Sequence, residues 1–273
     1  MEAIHIVSVS GGKDSTALYC WAIEQFGQDF LPVFADTGHE HPVTYNYVRN
    51  LAIMAEGPEI QWVKADFANR LTKKGKESSG NSFLDLCLWK GRVPSSRAQF
   101  CTEHLKLIPI KNWLESIRGD SEVIMYTGIR AGESERRAKM PESEWLKLYD
   151  CETRRPLLKW TEEDVFSFLK SKGVPPNPLY EAGFSRVGCF PCIHARKSEL
   201  AKLPDWCWDK LKEWETKIGQ SWFPAGLVPG VFIPTIQDAK DWSKTLRGGR
   251  ELDLFASDAK DIPSCMSTWG TCE

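Results

Sequence analysis

The chain has 273 residues, 42% of them hydrophobic and 26% charged, with a formal net charge of -2. These proportions are ordinary for a soluble globular protein, long enough for one large domain or a domain with a substantial appendage. A charge this near neutral excludes a global positive field that draws the protein onto nucleic acid, although a local basic groove is compatible with it.

The first predicted element is a buried strand over residues 3–9, a short β-branched run. A Gly-Gly turn follows, and apolar residues at helical spacing predict a helix over 15–26. A second strand over 31–35 ends at Asp36-Thr37-Gly38, and a helix over 42–54 begins at Pro42, which suits a first-turn position. Strands over 60–64 and 122–127, with a helix over 105–117 between them, complete an alternating pattern. Such alternation predicts an α/β fold with a doubly wound parallel sheet covered on both faces. Residues 70–82, with Lys73, Lys74 and Lys76, read either as a solvated loop or as a flap over an anionic ligand. Thr161, Asp164 and the Trp160–Val165 pair form a capping box and staple for a helix ending near Gly173, before Pro175-Pro176-Asn177-Pro178. A Trp-rich helix is expected over 197–218, and the Pro and Gly that recur after Gly219 predict an irregular tail. The division expected is a nucleotide-binding domain over 1–160 and a helical, cysteine-bearing extension over 161–273.

The chemistry begins at Ser10-Gly11-Gly12-Lys13-Asp14-Ser15. A strand, a glycine turn and a helix present backbone N–H groups and a helix N-terminus to phosphate. Ser10 and Ser15 can add hydroxyl donors and Lys13 a point charge. The Walker A pattern fails, because Asp14 follows Gly12-Lys13 and Val7 occupies the earlier glycine position. The Rossmann glycine pattern is absent as well. The loop resembles instead the pyrophosphatase loop of the adenine nucleotide α-hydrolase superfamily, which implies that it holds pyrophosphate while a substrate attacks the α-phosphorus.

Further stretches are similar to the phosphoadenosine phosphosulfate (PAPS) reductase family, from the first strand to about residue 200. They are Ala35-Asp36-Thr37-Gly38, Phe100-Cys101-Thr102 with Leu105-Lys106, Thr127-Gly128-Ile129-Arg130 with Arg136-Arg137, Arg155 to Trp160, and Gly188-Cys189-Phe190-Pro191-Cys192. The resemblance implies that Asp36 and Gly128 lie beside the adenosine, and that Arg130, Arg136 and Arg137 meet phosphate or sulfate, with Arg97 a weaker candidate. A surface ion pair is the competing reading for Arg136. The complete loop, which sulfonucleotide reductases generally lack, points towards ATP-consuming relatives in sulfur transfer. The chain also lacks the Glu-Cys-Gly tail of those reductases and ends in Cys265 to Glu273.

Nine cysteines without a signal peptide at Met1 to His5 are expected to be reduced thiols or metal ligands. Cys189 and Cys192 form a C-x2-C knuckle, and the resemblance adds Cys101 as a third ligand, with Cys272, Cys265 or His104 as the fourth. A 4Fe–4S cluster is the expected occupant and structural zinc the alternative, against a plain reduced pair in a turn. Cys20, Cys87, Cys151 and Cys207 read as inert buried thiols, His39-Glu40-His41 as a metal group or a loop-shaping one, and the tryptophans at 206, 208, 214 and 222 as core or interface before base-stacking residues.

The mechanism expected is adenylation: ATP on the loop, Mg²⁺ bridging its phosphates and oriented by Asp14, and Lys13 with Arg137 offsetting charge. A sulfur species, from a persulfide donor such as a cysteine desulfurase, then displaces AMP from a nucleic-acid or small-molecule acceptor. The alternatives are sulfonucleotide reduction, with Cys272 as nucleophile and thioredoxin as reductant, and a nucleotide-binding subunit of a nucleic-acid-modification complex. No apolar run reaches the roughly 20 residues that cross a bilayer. A cytoplasmic protein without a membrane partner is expected, with the Trp-rich half able to build a homodimer.

Overall fold

A computed structural model describes residues 3–245. In chain order it has β1 (Ile4–Val9), α1 (Lys13–Phe26), β2 (Leu31–Asp36), α2 (Pro42–Met54), β3 (Gln61–Lys64), α3 (Ala68–Thr72), α4 (Ser82–Lys90) and α5 (Phe100–Thr102). A π turn at Glu103–Leu107 leads into α6 (Ile108–Ile117) and β4 (Val123–Tyr126). A 3-10 turn at Ala131–Glu133, α7 (Glu135–Ala138), β5 (Ser143–Leu146) and β6 (Cys151–Arg154) follow. The last helices are α8 (Glu162–Ser171), α9 (Lys197–Leu200), α10 (Asp205–Ile218) and α11 (Ile236–Ser243).

The six strands form one sheet in the order β3-β2-β1-β4-β6-β5. All neighbours pair in parallel except the β5–β6 edge hairpin, so the expected α/β architecture is present with an antiparallel margin added. The chain winds from β1 outward to β2 and β3, then crosses to β4 on the other side of β1. That reversal between β1 and β4 opens a crevice at the carboxyl ends of the strands, where ligands bind in sheets of this kind.

Strand residues alternate between the two faces. Val7, Val9 and Phe34 pack with Leu18 of α1, Val48 of α2, and Val165 and Leu169 of α8. Ile6, Val33 and Met125 pack on the opposite face with Ile110 and Leu114 of α6. Both faces are therefore covered, as buried parallel strands require.

The chain divides into two compact units. Among the described residues, one comprises 3–65 and 102–189 and the other 66–101 and 190–245. A single cut at residue 160 does not reproduce this division, because α8 and Val174 belong to the same core as α1. In the second unit Phe83 of α4 stacks on Trp214 of α10 at 5.8 Å, and Trp222 adds a third ring 5.9 Å from Trp214. Trp208, Trp214 and Trp222 are buried, whereas Trp206 is exposed.

Two departures from the sequence reading have local causes. The helix expected over 197–218 is interrupted, and α10 starts afresh after its N-cap, Pro204. The tail read as irregular contains α11, closed at its start by a Thr235–Asp238 capping box. The segment 70–82 is largely an exposed loop, in keeping with the solvated reading, and leads into α4, whose N-cap Asn81 accepts from the N–H groups of Phe83 and Leu84, both at 3.1 Å. Lys74 and Lys76 donate to the carbonyls of Trp89 and Leu88 at the other end of α4, at 2.7 and 3.1 Å, where cations complement the helix dipole.

Candidate functional site

β1 ends at Val9, and the next residues turn directly into α1, which starts at Lys13 with Gly12 as its N-cap. Gly11 makes the turn possible in two ways. Its φ is +83°, and a Cβ there would lie 2.8 Å from Val48 Cγ2 and 2.9 Å from Thr44 Cγ2. Gly128, at the end of β4, is required for a related reason: a Cβ would stand 3.0 Å from the carbonyl carbon and oxygen of Asp14. The end of β4 is thus pressed against the first turn of α1, and Gly128 serves that approach.

The serines brace the loop. Ser10 Oγ donates to Ser15 Oγ at 2.9 Å, and Ser15 Oγ donates to the Gly12 carbonyl at 3.1 Å. A hydroxyl has one hydrogen, so these two bonds spend the donors that the sequence reading assigned to phosphate. Thr16 Oγ1 donates to the same carbonyl at 2.8 Å. Residues 11–15 are buried and Ser10 is half-buried.

Three charges meet under this loop. Asp14, fully buried, pairs with the Arg130 guanidinium through Nε and Nη2, and its Oδ2 lies 3.7 Å from Lys13 Nζ. Burial disfavours the Arg130 charge, but Asp14, with Glu133 and Glu162, together outweigh it and raise the guanidinium pKa. With both oxygens facing cations of the protein, Asp14 does not fit the expected role of orienting Mg²⁺. Its position is that of a tie between Lys13 and Arg130. Arg137 is buried and ion-paired with Glu133, whose other oxygen accepts from Arg130 N at 2.8 Å. Arg136 is exposed.

A second network lies at the end of β2. Asp36 Oδ1 accepts from Gly38 N at 2.8 Å and from Tyr45 OH at 2.7 Å. The same Tyr45 oxygen lies 2.8 Å from Glu40 Oε2, while Thr37 Oγ1 donates to Glu40 Oε1 at 2.6 Å. A phenol has a single hydrogen, so Tyr45 donates to one of these two carboxyls at a time. Glu40 is the buried one of the two, and burial raises its pKa, opposed by the Thr37 and Tyr45 hydroxyls and by the Lys106 charge. Burial thus favours a proton on Glu40. Ser8, Ser10, Ala35, Glu40, Lys106 and Gly188 line a cavity of about 20 Å³ beside the loop, room for one water. The sequence reading placed Glu40 in a metal-binding or loop-shaping group and Lys106 in a family-like stretch, but not together, because tertiary packing alone brings them to one cavity.

The cysteines fall into two classes. Burial pushes the thiol of Cys20 up to about 12 and those of Cys151 and Cys207 up to about 11, and raises that of Cys87 further, so all four are unreactive at neutral pH. Cys101, Cys189 and Cys192 are half-buried, and Cys189 Sγ lies 3.8 Å from Thr37 Oγ1. Among the described residues no group of three or more His, Cys, Asp or Glu side chains is gathered to hold a metal ion. The expected ligands Cys272 and Cys265 lie outside the described residues. No helix among them is long and apolar enough to cross a membrane.

Comparison with known proteins places this geometry. The phosphoadenosine phosphosulfate reductase domain matches residues 4–195. An uncharacterized 37.8 kDa protein from the gpa 5' region of Escherichia phage 186 is 38% identical over 100% of this chain and 97% of its own length. An adenosine 5'-phosphosulfate reductase of Allochromatium vinosum is 35% identical over 43% of this chain and 43% of its own length, so the chain spans less than half of that relative. Among solved structures, the phosphoadenylyl-sulfate reductase of Candida auris in a phosphate complex matches with a TM-score of 0.50 and 20% identity. That match covers 70% of this chain and 84% of the other, and shares the fold.

Proposed function

The chain belongs to the phosphoadenosine phosphosulfate reductase domain family, and from that premise we propose that it is an enzyme acting on an adenylyl nucleotide, with ATP as substrate. The observation that carries the reading is the complete Ser10–Ser15 loop in strand–turn–helix context, with Lys13 and Arg130 gathered by Asp14 beneath it. The β- and γ-phosphates lie against the N-terminus of α1, and the adenosine lies towards Asp36 at the end of β2. A substrate oxygen attacks the α-phosphorus, the bond to the β-phosphate oxygen breaks, and pyrophosphate leaves with the charge that Lys13 and the helix amides offset. Mg²⁺ comes with the nucleotide, held chiefly by the phosphates, as is usual for this ion. A reduced sulfur species then displaces AMP from the adenylated substrate, transferring sulfur to it.

The test is release of pyrophosphate. Full-length protein with ATP, Mg²⁺ and panels of nucleic-acid and small-molecule acceptors should release it with at least one acceptor, and Lys13→Ala should lower the rate by about a hundredfold. No release with any acceptor, together with unchanged nucleotide binding by Lys13→Ala, contradicts the reading.

A second reading, reduction of a sulfonucleotide, is favoured by the phosphosulfate reductases among the relatives. In it the Cys272 thiolate attacks the sulfur, the S–O bond to the nucleotide phosphate breaks and the nucleoside phosphate leaves, giving a thiosulfonate; the two thioredoxin thiols then release sulfite and end as a disulfide. Sulfite formation from PAPS or its unphosphorylated analogue, abolished by Cys272→Ser, distinguishes this reading from adenylation.

A further inference from the structure

The loop has a partner from far along the chain. Tyr180 OH accepts a hydrogen bond from Lys13 N at 2.9 Å across 167 residues of sequence. The ammonium of the same lysine lies 5.2 Å from the centre of the Tyr180 ring, within the range of a cation–π contact. Tyr180 therefore holds Lys13 at both ends, by its first-turn amide and by its side-chain charge. The ring is supported edge-on by Phe166 of α8, with centroids 6.0 Å apart.

The segment bearing this tyrosine is itself anchored to the loop. Asn177, fully buried, donates to the Gly11 carbonyl at 3.1 Å and lies 3.4 Å from Thr44 Oγ1, while its own oxygen accepts from Leu179 N at 3.1 Å. Tyr47 OH donates to the Pro175 carbonyl at 2.8 Å. Residues 175–180 thus form a strap pinned beside the loop at Asn177, with Tyr180 reaching the amide where α1 begins.

We infer that Tyr180 is a displaceable internal cap of the phosphate cradle, and so a determinant of how tightly the cradle holds pyrophosphate. The inference rests on the nucleotide reading above. Its argument is stoichiometric: a backbone N–H has one hydrogen, so Lys13 N cannot serve Tyr180 and a phosphate oxygen together. First-turn amides and a lysine charge are the groups that bind phosphate at a helix N-terminus, and Tyr180 occupies one of each. Phosphate that uses Lys13 N must lift the phenol off it. When pyrophosphate leaves, the phenol returns, and the amide is never left without an acceptor. The cap thereby weakens the hold on the product and favours its release. The anchor at Asn177 sits three residues from Tyr180, so the ring can turn while the strap stays in place.

The experiment measures binding of inorganic pyrophosphate to the full-length protein by calorimetry. Tyr180→Phe keeps the ring and removes the accepting oxygen, and it should bind pyrophosphate about five- to tenfold more tightly than wild type, the effect of one competing hydrogen bond. The backbone amide resonance of Lys13 should move on adding pyrophosphate to wild type, and should already differ in Tyr180→Phe without ligand. Phe166→Leu, which loosens the support of the ring and leaves the hydroxyl in place, should shift affinity in the same direction by less. Weaker or unchanged binding by a folded Tyr180→Phe overturns the cap while leaving the loop as the site. If wild type binds neither pyrophosphate nor ATP, the loop reading itself fails and the cap with it.

Discussion

The ends of β1 and β2 are adjacent in the sheet, and each buries a carboxyl group, but the two are given different partners. Asp14 faces the cations of Arg130 and Lys13. Glu40 faces the hydroxyls of Thr37 and Tyr45, with Asp36 sharing the phenol, and burial raises its pKa against those hydroxyls and the Lys106 charge. The first arrangement concentrates charge where phosphate is expected; the second favours a proton one strand away.

This contrast predicts a hierarchy of mutational effects. The largest belongs to Asp14→Asn, which leaves the buried Arg130 guanidinium without its anion and should cost about 3–5 kcal/mol of stability, read by denaturant unfolding. A loss below 1 kcal/mol would mean that the pair at the end of β1 is not what holds this corner. Next is Gly128→Ala, whose added methyl meets the Asp14 backbone at 3.0 Å. Overpacking of this kind costs about 1–3 kcal/mol, and the displaced loop should lose nucleotide affinity as well.

Glu40→Gln should be far milder than Asp14→Asn, no more than about 1 kcal/mol at neutral pH, because the amide keeps the shape of the side chain and an oxygen that accepts from Thr37. Its pH dependence sharpens the comparison. With the folded pKa held above the ordinary 4.5, the folded state binds the extra proton, so the Glu40 contribution to stability falls as pH rises from 4.5 through the raised value. Glutamine has no such proton to lose. The melting temperature of Glu40→Gln minus that of wild type should therefore increase with pH across this window. A difference that is flat or falls with pH places the proton elsewhere. The smallest expected effect is an absence of reaction: Cys20, with its thiol pushed up to about 12, should resist iodoacetamide at pH 8 in the folded protein and react once unfolded.

The end of β1 was the more legible in the sequence because its six loop residues are contiguous, and their strand–turn–helix setting follows from local pattern. Ile4–Val9, Leu31–Asp36 and Pro42–Met54 lie within a residue of where apolar runs and Pro42 place them. The β5–β6 hairpin escaped notice because Ser143–Leu146 is a short edge strand with three exposed residues and no alternating apolar signal. α4 was obscured by the Lys, Ser and Gly run before it, although Asn81 is a recognisable N-cap. The proton on Glu40 and the cap by Tyr180 were invisible for a deeper reason: each depends on contacts that only the folded chain brings together. The serines of the loop show the converse, since their identity was evident but the direction of their hydrogen bonds was not.

The central claim is that Lys13 and the first turn of α1 receive the phosphates of an adenylyl nucleotide. Calorimetric titration of ATP with Mg²⁺ into full-length protein and into Lys13→Ala, both shown folded by circular dichroism, tests it most directly. The account predicts saturable binding by wild type and at least about tenfold weaker binding by the variant. Equal affinities, or no binding of ATP by wild type, would contradict it.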